Sequence, residues 1–116
     1  MTYTLLIDGP SGAGKTSLAA QIGEALGIQV VHLDDFYPGW GGLKEGARMV
    51  ADDVLDPVAP GFWRWDWEQN RRSEWVPLVP GADLVVEGVG AVTEASISKA
   101  KARGEVDTLR VVASRR

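Results

Sequence analysis

The chain has 116 residues, a formal net charge of −4 and no cysteine, and 45% of its residues are apolar. That suits a single domain, residues 1–116, with enough apolar material for a core. The acidic balance argues against a nucleic-acid surface, and without thiols neither disulfides nor thiolate metal sites are possible.

The N-terminal apolar run is too short for a signal peptide. No stretch approaches the ~20 apolar residues of a membrane-spanning helix. A cytoplasmic protein without membrane or nucleic-acid partners is the expectation.

Residues 3–8 read as a first strand, rich in apolar side chains around Leu5, Leu6 and Ile7. The strand runs into Asp8-Gly9-Pro10-Ser11-Gly12-Ala13-Gly14-Lys15-Thr16, which fits G-x-x-x-x-G-K-[ST], the phosphate-binding P-loop or Walker A pattern. Gly9, Gly12 and Gly14 lack Cβ, so the backbone can take positive φ and turn its N–H groups inward together. Residues 15–26 follow as a helix, with Leu18, Ile22 and Leu26 four apart on one stripe and Gly27 as its C-cap. The helix N-terminus adds its dipole to the attraction for anionic oxygens. Lys15 supplies a full charge at the β/γ-phosphates, and Thr16 offers a hydroxyl to Mg²⁺. The candidate nucleotide-binding positions are Gly9, Ser11, Gly12, Ala13, Gly14, Lys15, Thr16 and Ser17.

Residues 28–33 read as a second strand. Strand, helix and strand in so few residues form a βαβ unit with parallel strands. The second strand leads into Asp34-Asp35-Phe36-Tyr37. Ligands of open α/β sheets bind outside the carboxyl ends of the strands. Asp34 is therefore placed to meet a substrate hydroxyl facing the γ-phosphate, with Asp35 as the alternative. Neighbouring strand residues point oppositely, so one of the two faces the nucleotide. His32, the only histidine, has no partner pattern around it and reads as a packing residue.

Residues 43–55 read as a second helix, with Met49, Val50 and Val54 at apolar spacing, Asp52, Asp53 and Asp56 on the solvated side, and Pro57 and Pro60 beyond its end. In Gly61-Phe62-Trp63-Arg64-Trp65-Asp66-Trp67 the tryptophans alternate with charges, a strand period. Trp75-Val76-Pro77-Leu78 returns as the other half of a hairpin. The simpler reading is that these tryptophans cover a sheet or helix. The functional one makes them an aromatic wall for a substrate ring, with Arg64 or Asp66 contacting its polar groups and Trp65 and Tyr37 among the substrate contacts.

Residues 82–88 read as a third buried strand ending in Glu87. An acid at that position beside a P-loop commonly holds Mg²⁺, directly or through water. Residues 93–103 read as a helix with Thr93 as N-cap and Gly104 as C-cap, and 108–112 as a fourth strand.

Taken together, the P-loop, the strand-end Asp34-Asp35-Phe36-Tyr37 and Val85-Val86-Glu87-Gly88 resemble the uridine kinase-like branch of P-loop small-molecule kinases. The resemblance implies a three-layer α/β/α, Rossmann-like P-loop NTPase fold with a mainly parallel sheet in the order 2-3-1-4. It implies ATP and Mg²⁺ as cofactors and a small hydroxylated, nucleoside-like acceptor. It makes Asp34 the base or hydroxyl-orienting residue, Lys15 and Thr16 the phosphate and Mg²⁺ residues, and Glu87 the metal-side acid. The family continues into a fifth strand and an arginine-bearing lid, which this sequence lacks; Arg115 and Arg116 are the candidates for a lid helix start. On that pattern the domain is C-terminally incomplete, and weak nucleotide binding with low turnover is expected.

Two further classes compete with a kinase: a nucleotide-binding or regulatory module without transfer, and a P-loop ATPase or GTPase. The Asn-Lys-x-Asp segment of a GTPase is not found. In the order 2-3-1-4 the fourth strand is an exposed edge, and a homodimer covering Leu109 to Val112 is a further expectation.

Overall fold

A computed structural model describes residues 2–39 and 41–112 of the chain. Arg115 and Arg116, the candidate lid start, lie outside the described residues, as does Trp40.

Strand β1 (Thr2–Asp8) leads through the glycine loop into helix α1 (Lys15–Leu26) and strand β2 (Gln29–His32). A single 3₁₀ turn, Leu33–Asp35, follows. Helix α2 (Leu43–Met49) continues as a π turn over Val50–Val54. Strands β3 (Gly61–Asp66) and β4 (Arg71–Pro77) form a hairpin. Strand β5 (Leu84–Glu87), helix α3 (Glu94–Arg103) and strand β6 (Gly104–Arg110) complete the described elements.

Among the described residues the main sheet has four parallel strands in the order β2-β5-β1-β6, which is the expected 2-3-1-4. Side chains alternate across each strand, so both faces need cover. Leu6, Val31, Leu84 and Val86 face one way and pack with Met49 of α2, with Val50 and Val54 of the turn after it and with Ala100 of α3. Leu5, Ile7 and Val85 face the other way against Ala19 and Ile22 of α1. This gives three layers, helix, sheet and helix, and shows the α/β P-loop NTPase architecture.

The element ends follow local chemistry. Gly27 closes α1 in the left-handed region at φ +68°, its N–H returning to Gly23 O. Thr93 and Ser96 cap α3 reciprocally, each side chain taking the other's backbone N–H. The second helix departs from a plain α-helix: Leu55 N reaches Val50 O, five residues back, at 3.0 Å, so its last turn widens.

The fourth strand is a correction. Gly104 closes α3 as expected, its N–H returning to Ala100 O, but the strand was expected only over 108–112. Instead β6 begins at Gly104 itself, paired with Thr2, and runs to Arg110 beside Asp8. A Cβ on Gly104 would lie 2.2 Å from Thr2 O, so glycine permits the chain to turn from α3 straight into the sheet. Polar Glu105 and Asp107 hid the first half of the strand from an apolar-pattern reading, because β6 is an edge and mostly exposed.

The hairpin forms its own two-stranded antiparallel sheet, with a register shift between Trp63 and Trp65. Trp63 and Trp75 sit opposite each other with ring centroids 5.5 Å apart, edge to face. Phe62 turns inward onto Phe36 at 5.2 Å, joining the ribbon to the core beneath the Asp34 turn. The tryptophans thus divide between the two expected uses: Trp63 and Trp75 cover the ribbon, while Trp67 stands at a cleft.

Candidate functional site

Three strand ends converge at one edge of the sheet. Register sets Glu87 beside Ile7 on one side and beside His32 on the other. The carboxyl ends of β1, β5 and β2 therefore deliver the glycine loop, Glu87 and Asp34 to one place.

The loop takes its shape from glycine. Gly12 and Gly14 lie at φ +80° and +93°, and a Cβ at either would meet nothing within 4 Å. Conformation, rather than space, requires glycine there. Gly14 is also the N-cap of α1 and, lacking a side chain, leaves the first amides of the helix uncapped from that side. Such a terminus attracts anions. Lys15 is buried, 7% exposed, and donates from Nζ to Pro10 O at 2.8 Å across the loop.

Glu87 is also buried, its side chain 3% exposed. Thr16 donates from Oγ1 to Glu87 Oε2 at 3.1 Å, and His32 Nδ1 lies 2.5 Å from the same oxygen. With Glu87 as a carboxylate, which only accepts, the hydrogen of this pair is the one on His32 Nδ1. The histidine that sequence left as packing is thus a direct partner of Glu87. The signal was in the register: His32 and Glu87 each end a strand, and those strands are neighbours.

Asp8 was not singled out as a functional residue. Its carboxylate accepts from Gly9 N at 2.7 Å, Gly90 N at 3.1 Å and Val92 N at 2.9 Å. It ties the glycine loop to the segment after β5.

Two adjoining clefts open here. The first, about 320 Å³, is lined by Ser11, Gly12, Gly14, Lys15, Thr16, Ser17, Asp34, Glu87, Gly88 and Val89. The second, about 750 Å³, is lined by Pro10, Ser11, Asp34, Tyr37, Gly39, Leu43, Trp67 and Val89. Ser11, Asp34 and Val89 belong to both. Asp34 is exposed between them, and Asp35 lines neither. Gly9 and Ala13 complete the loop without lining either cleft.

Tyr37 is buried and donates its hydroxyl to Val89 O, closing the floor of the second cleft. Burial first, and then the charges of Asp34, Asp8 and Glu87, hold its phenol well above the usual tyrosine range. Arg64 and Trp65 line neither cleft. Arg64 Nε lies 3.3 Å from Glu74 Oε1 on the next strand, and Trp65 packs toward Gly39. Trp67, one of the tryptophans of the expected aromatic wall, reaches the second cleft and donates from Nε1 to Asp34 O at 3.0 Å. No short sequence pattern signals that contact, because it spans two loops brought together by the fold.

The oxygen donors suit a hard cation. Mg²⁺ sites typically use one or two protein oxygens, with phosphate and water completing the shell. Thr16 Oγ1 and a Glu87 oxygen, both at the first cleft, are such a pair.

No family model matches the chain. Shikimate kinase 2 from Yersinia pestis is 28% identical over 116 residues, covering 98% of this chain. Shikimate kinase 2 from Yersinia pseudotuberculosis is similar to the same extent. The chain spans 60% of the length of these relatives. A solved structure described as a possible uridine kinase from Bacillus stearothermophilus superposes with a TM-score of 0.63 at 21% identity, over 92% of this chain and 70% of that one. That likeness shows the fold. In sequence and in architecture, the chain is similar to P-loop small-molecule kinases.

Proposed function

We propose that the chain binds ATP with Mg²⁺ and transfers the γ-phosphate to a hydroxyl of a small metabolite. The observation that carries this reading is the position of Asp34, which lines both the glycine-loop cleft and the larger cleft beside it. Transfer needs a nucleophile held in line with the phosphate, and little else from the protein beyond charge stabilisation. The amides of the loop and of the first turn of α1 would hold the phosphates. Lys15 would leave Pro10 O and place its charge on them. Thr16 and Glu87 would hold Mg²⁺, which neutralises phosphate charge when bound. Asp34 would accept or orient the acceptor's hydroxyl proton. The similar proteins, a shikimate kinase and a possible uridine kinase, support phosphorylation of a small alcohol as the reaction class. The hydroxyl acceptor in this reading is nucleoside-like.

ATP loss that depends on an added hydroxylated acceptor tests the reading against a pure binding module and against an ATPase. Asp34→Asn should abolish that loss and spare ATP affinity, whereas Lys15→Ala should weaken ATP affinity about tenfold or more. Unchanged transfer in Asp34→Asn, or unchanged affinity in Lys15→Ala, refutes the assignment.

A further inference from the structure

His32 lines neither cleft, yet it touches a residue that does. It ends β2, and Glu87 ends β5 beside it in parallel register. Register partners on neighbouring parallel strands send their side chains to the same face of the sheet, so ring and carboxylate meet. His32 Nδ1 lies 2.5 Å from Glu87 Oε2. The histidine side chain is 32% exposed and that of Glu87 only 3%. Apolar packing therefore does not account for the ring, whose inward contact is polar.

The donors on Glu87 are unevenly shared. Thr16 Oγ1 donates to Oε2 at 3.1 Å, and His32 uses the same oxygen. Among the described residues no donor falls on Oε1, and Glu87 is part of the wall of the glycine-loop cleft. The two donors also differ in what else they can do. Thr16 lies in the first turn of α1, and its hydroxyl is a candidate Mg²⁺ ligand. A hydroxyl has one hydrogen and two lone pairs, so Thr16 can keep its bond to Glu87 while a lone pair faces a cation. His32 is held by strand pairing and has no second task in either cleft. A glutamate side chain rotates about several bonds, and a fixed N–H on one oxygen removes that freedom.

We infer, building on the kinase reading above, that His32 is a positioning residue of the Mg²⁺ site. Its Nδ1–H holds Glu87 through Oε2, with the Thr16 hydroxyl on the same oxygen, and so leaves Oε1 for the cation or its water. Outer-shell partners of this kind change metal affinity about 10–100-fold when removed. His32 acts only through Glu87, which is what a test has to isolate.

The test measures ATP affinity of the full chain by calorimetry, once in EDTA and once in saturating Mg²⁺. The variants are His32→Ala, His32→Asn, Glu87→Gln and the double variant of His32→Ala with Glu87→Gln. His32→Ala should lose about tenfold in affinity for ATP with Mg²⁺ and stay within about twofold of the parent in EDTA, which also reports a folded glycine loop. An asparagine amide can place an N–H where Nδ1 stands, so His32→Asn should recover most of the loss. Adding His32→Ala to Glu87→Gln should change nothing further, because the pair acts as one unit. Should His32→Ala unfold, as read in the far-UV spectrum, His32→Leu carries the same comparison by filling the ring's space without a donor. The inference is overturned if His32→Ala keeps the parent's affinity with Mg²⁺, or if it loses as much in EDTA, which marks a purely structural role. It is also overturned if His32→Asn is no better than His32→Ala, or if the double variant binds more weakly than Glu87→Gln. A parent chain that binds ATP no better with Mg²⁺ than in EDTA, or not at all, is a separate outcome, and it overturns the kinase reading and this inference with it.

Discussion

Asp8 and Val92 are 84 residues apart in sequence, yet the Asp8 carboxylate accepts the Val92 N–H at 2.9 Å. The same carboxylate also takes Gly90 N and Gly9 N, so one side chain at the end of β1 satisfies donors on the glycine loop and on the segment after β5. Asp8 is 6% exposed, so water cannot readily replace it. Removing it leaves three backbone donors seeking partners, each worth about 1–3 kcal/mol when buried and unmet. Asp8→Ala should therefore cost roughly 3 kcal/mol or more in urea unfolding. A loss below about 1 kcal/mol would show that the clamp contributes little.

Glu87→Gln keeps the shape of the side chain and an acceptor for Thr16 Oγ1, but removes the charge. If Glu87 serves Mg²⁺, directly or through water, the Mg²⁺ concentration that half-saturates ATP binding should rise about tenfold. The fold should persist, as shown by an unchanged far-UV spectrum. An unaltered Mg²⁺ requirement would remove Glu87 from the metal.

Tyr37 gives a pH dependence with a definite sign. Burial and three nearby carboxylates raise its folded pKa above the unfolded value near 10. The native state then holds the phenolic proton more tightly than the unfolded chain does. The stabilisation is complete below pH 10 and is lost as pH rises from there through the folded pKa. Stability should fall with pH above about 10, and Tyr37→Phe should flatten that fall. The same substitution removes the hydrogen bond to Val89 O and should cost about 1 kcal/mol at neutral pH. Tyr3 titrates in the same direction, because burial and its bond to Asp107 raise it too, so the informative quantity is the difference between parent and Tyr37→Phe.

Strand β6 lies at one edge of the described sheet, and Leu109 there is 38% exposed. An unpaired strand edge is a template for another chain. We propose a homodimer through this edge. Sedimentation should show concentration-dependent dimer, and Leu109→Lys should shift it to monomer, since a charged edge resists pairing. A monomer at all concentrations in the parent chain would refute it.

Much of the architecture was readable because it rests on local patterns. The span of α1, residues 15–26, followed from the leucine and isoleucine spacing and from Gly27, and the glycine loop followed from its motif. Strand β5 was legible as an apolar run because it is buried on both faces. Strand β6 was half hidden because an edge strand needs no apolar pattern to pair. The convergence of Lys15, Thr16, Asp34 and Glu87 could be expected from strand-end logic alone. The choice between Asp34 and Asp35 could not, because it depends on how the 3₁₀ turn at Leu33–Asp35 directs each side chain.

Local sequence, then, determined the glycine loop, the first βαβ unit and the acids at the strand ends, since glycine conformation and side-chain periodicity act over a few residues, while the order 2-3-1-4 came only with the family resemblance. Tertiary structure alone decided that His32 meets Glu87, that Asp8 clamps the segment after β5, and that Trp67 rather than Arg64 or Trp65 reaches the larger cleft. Each of those contacts joins residues distant along the chain, and their separation in space is set by strand register and hairpin packing, which no short window of sequence contains.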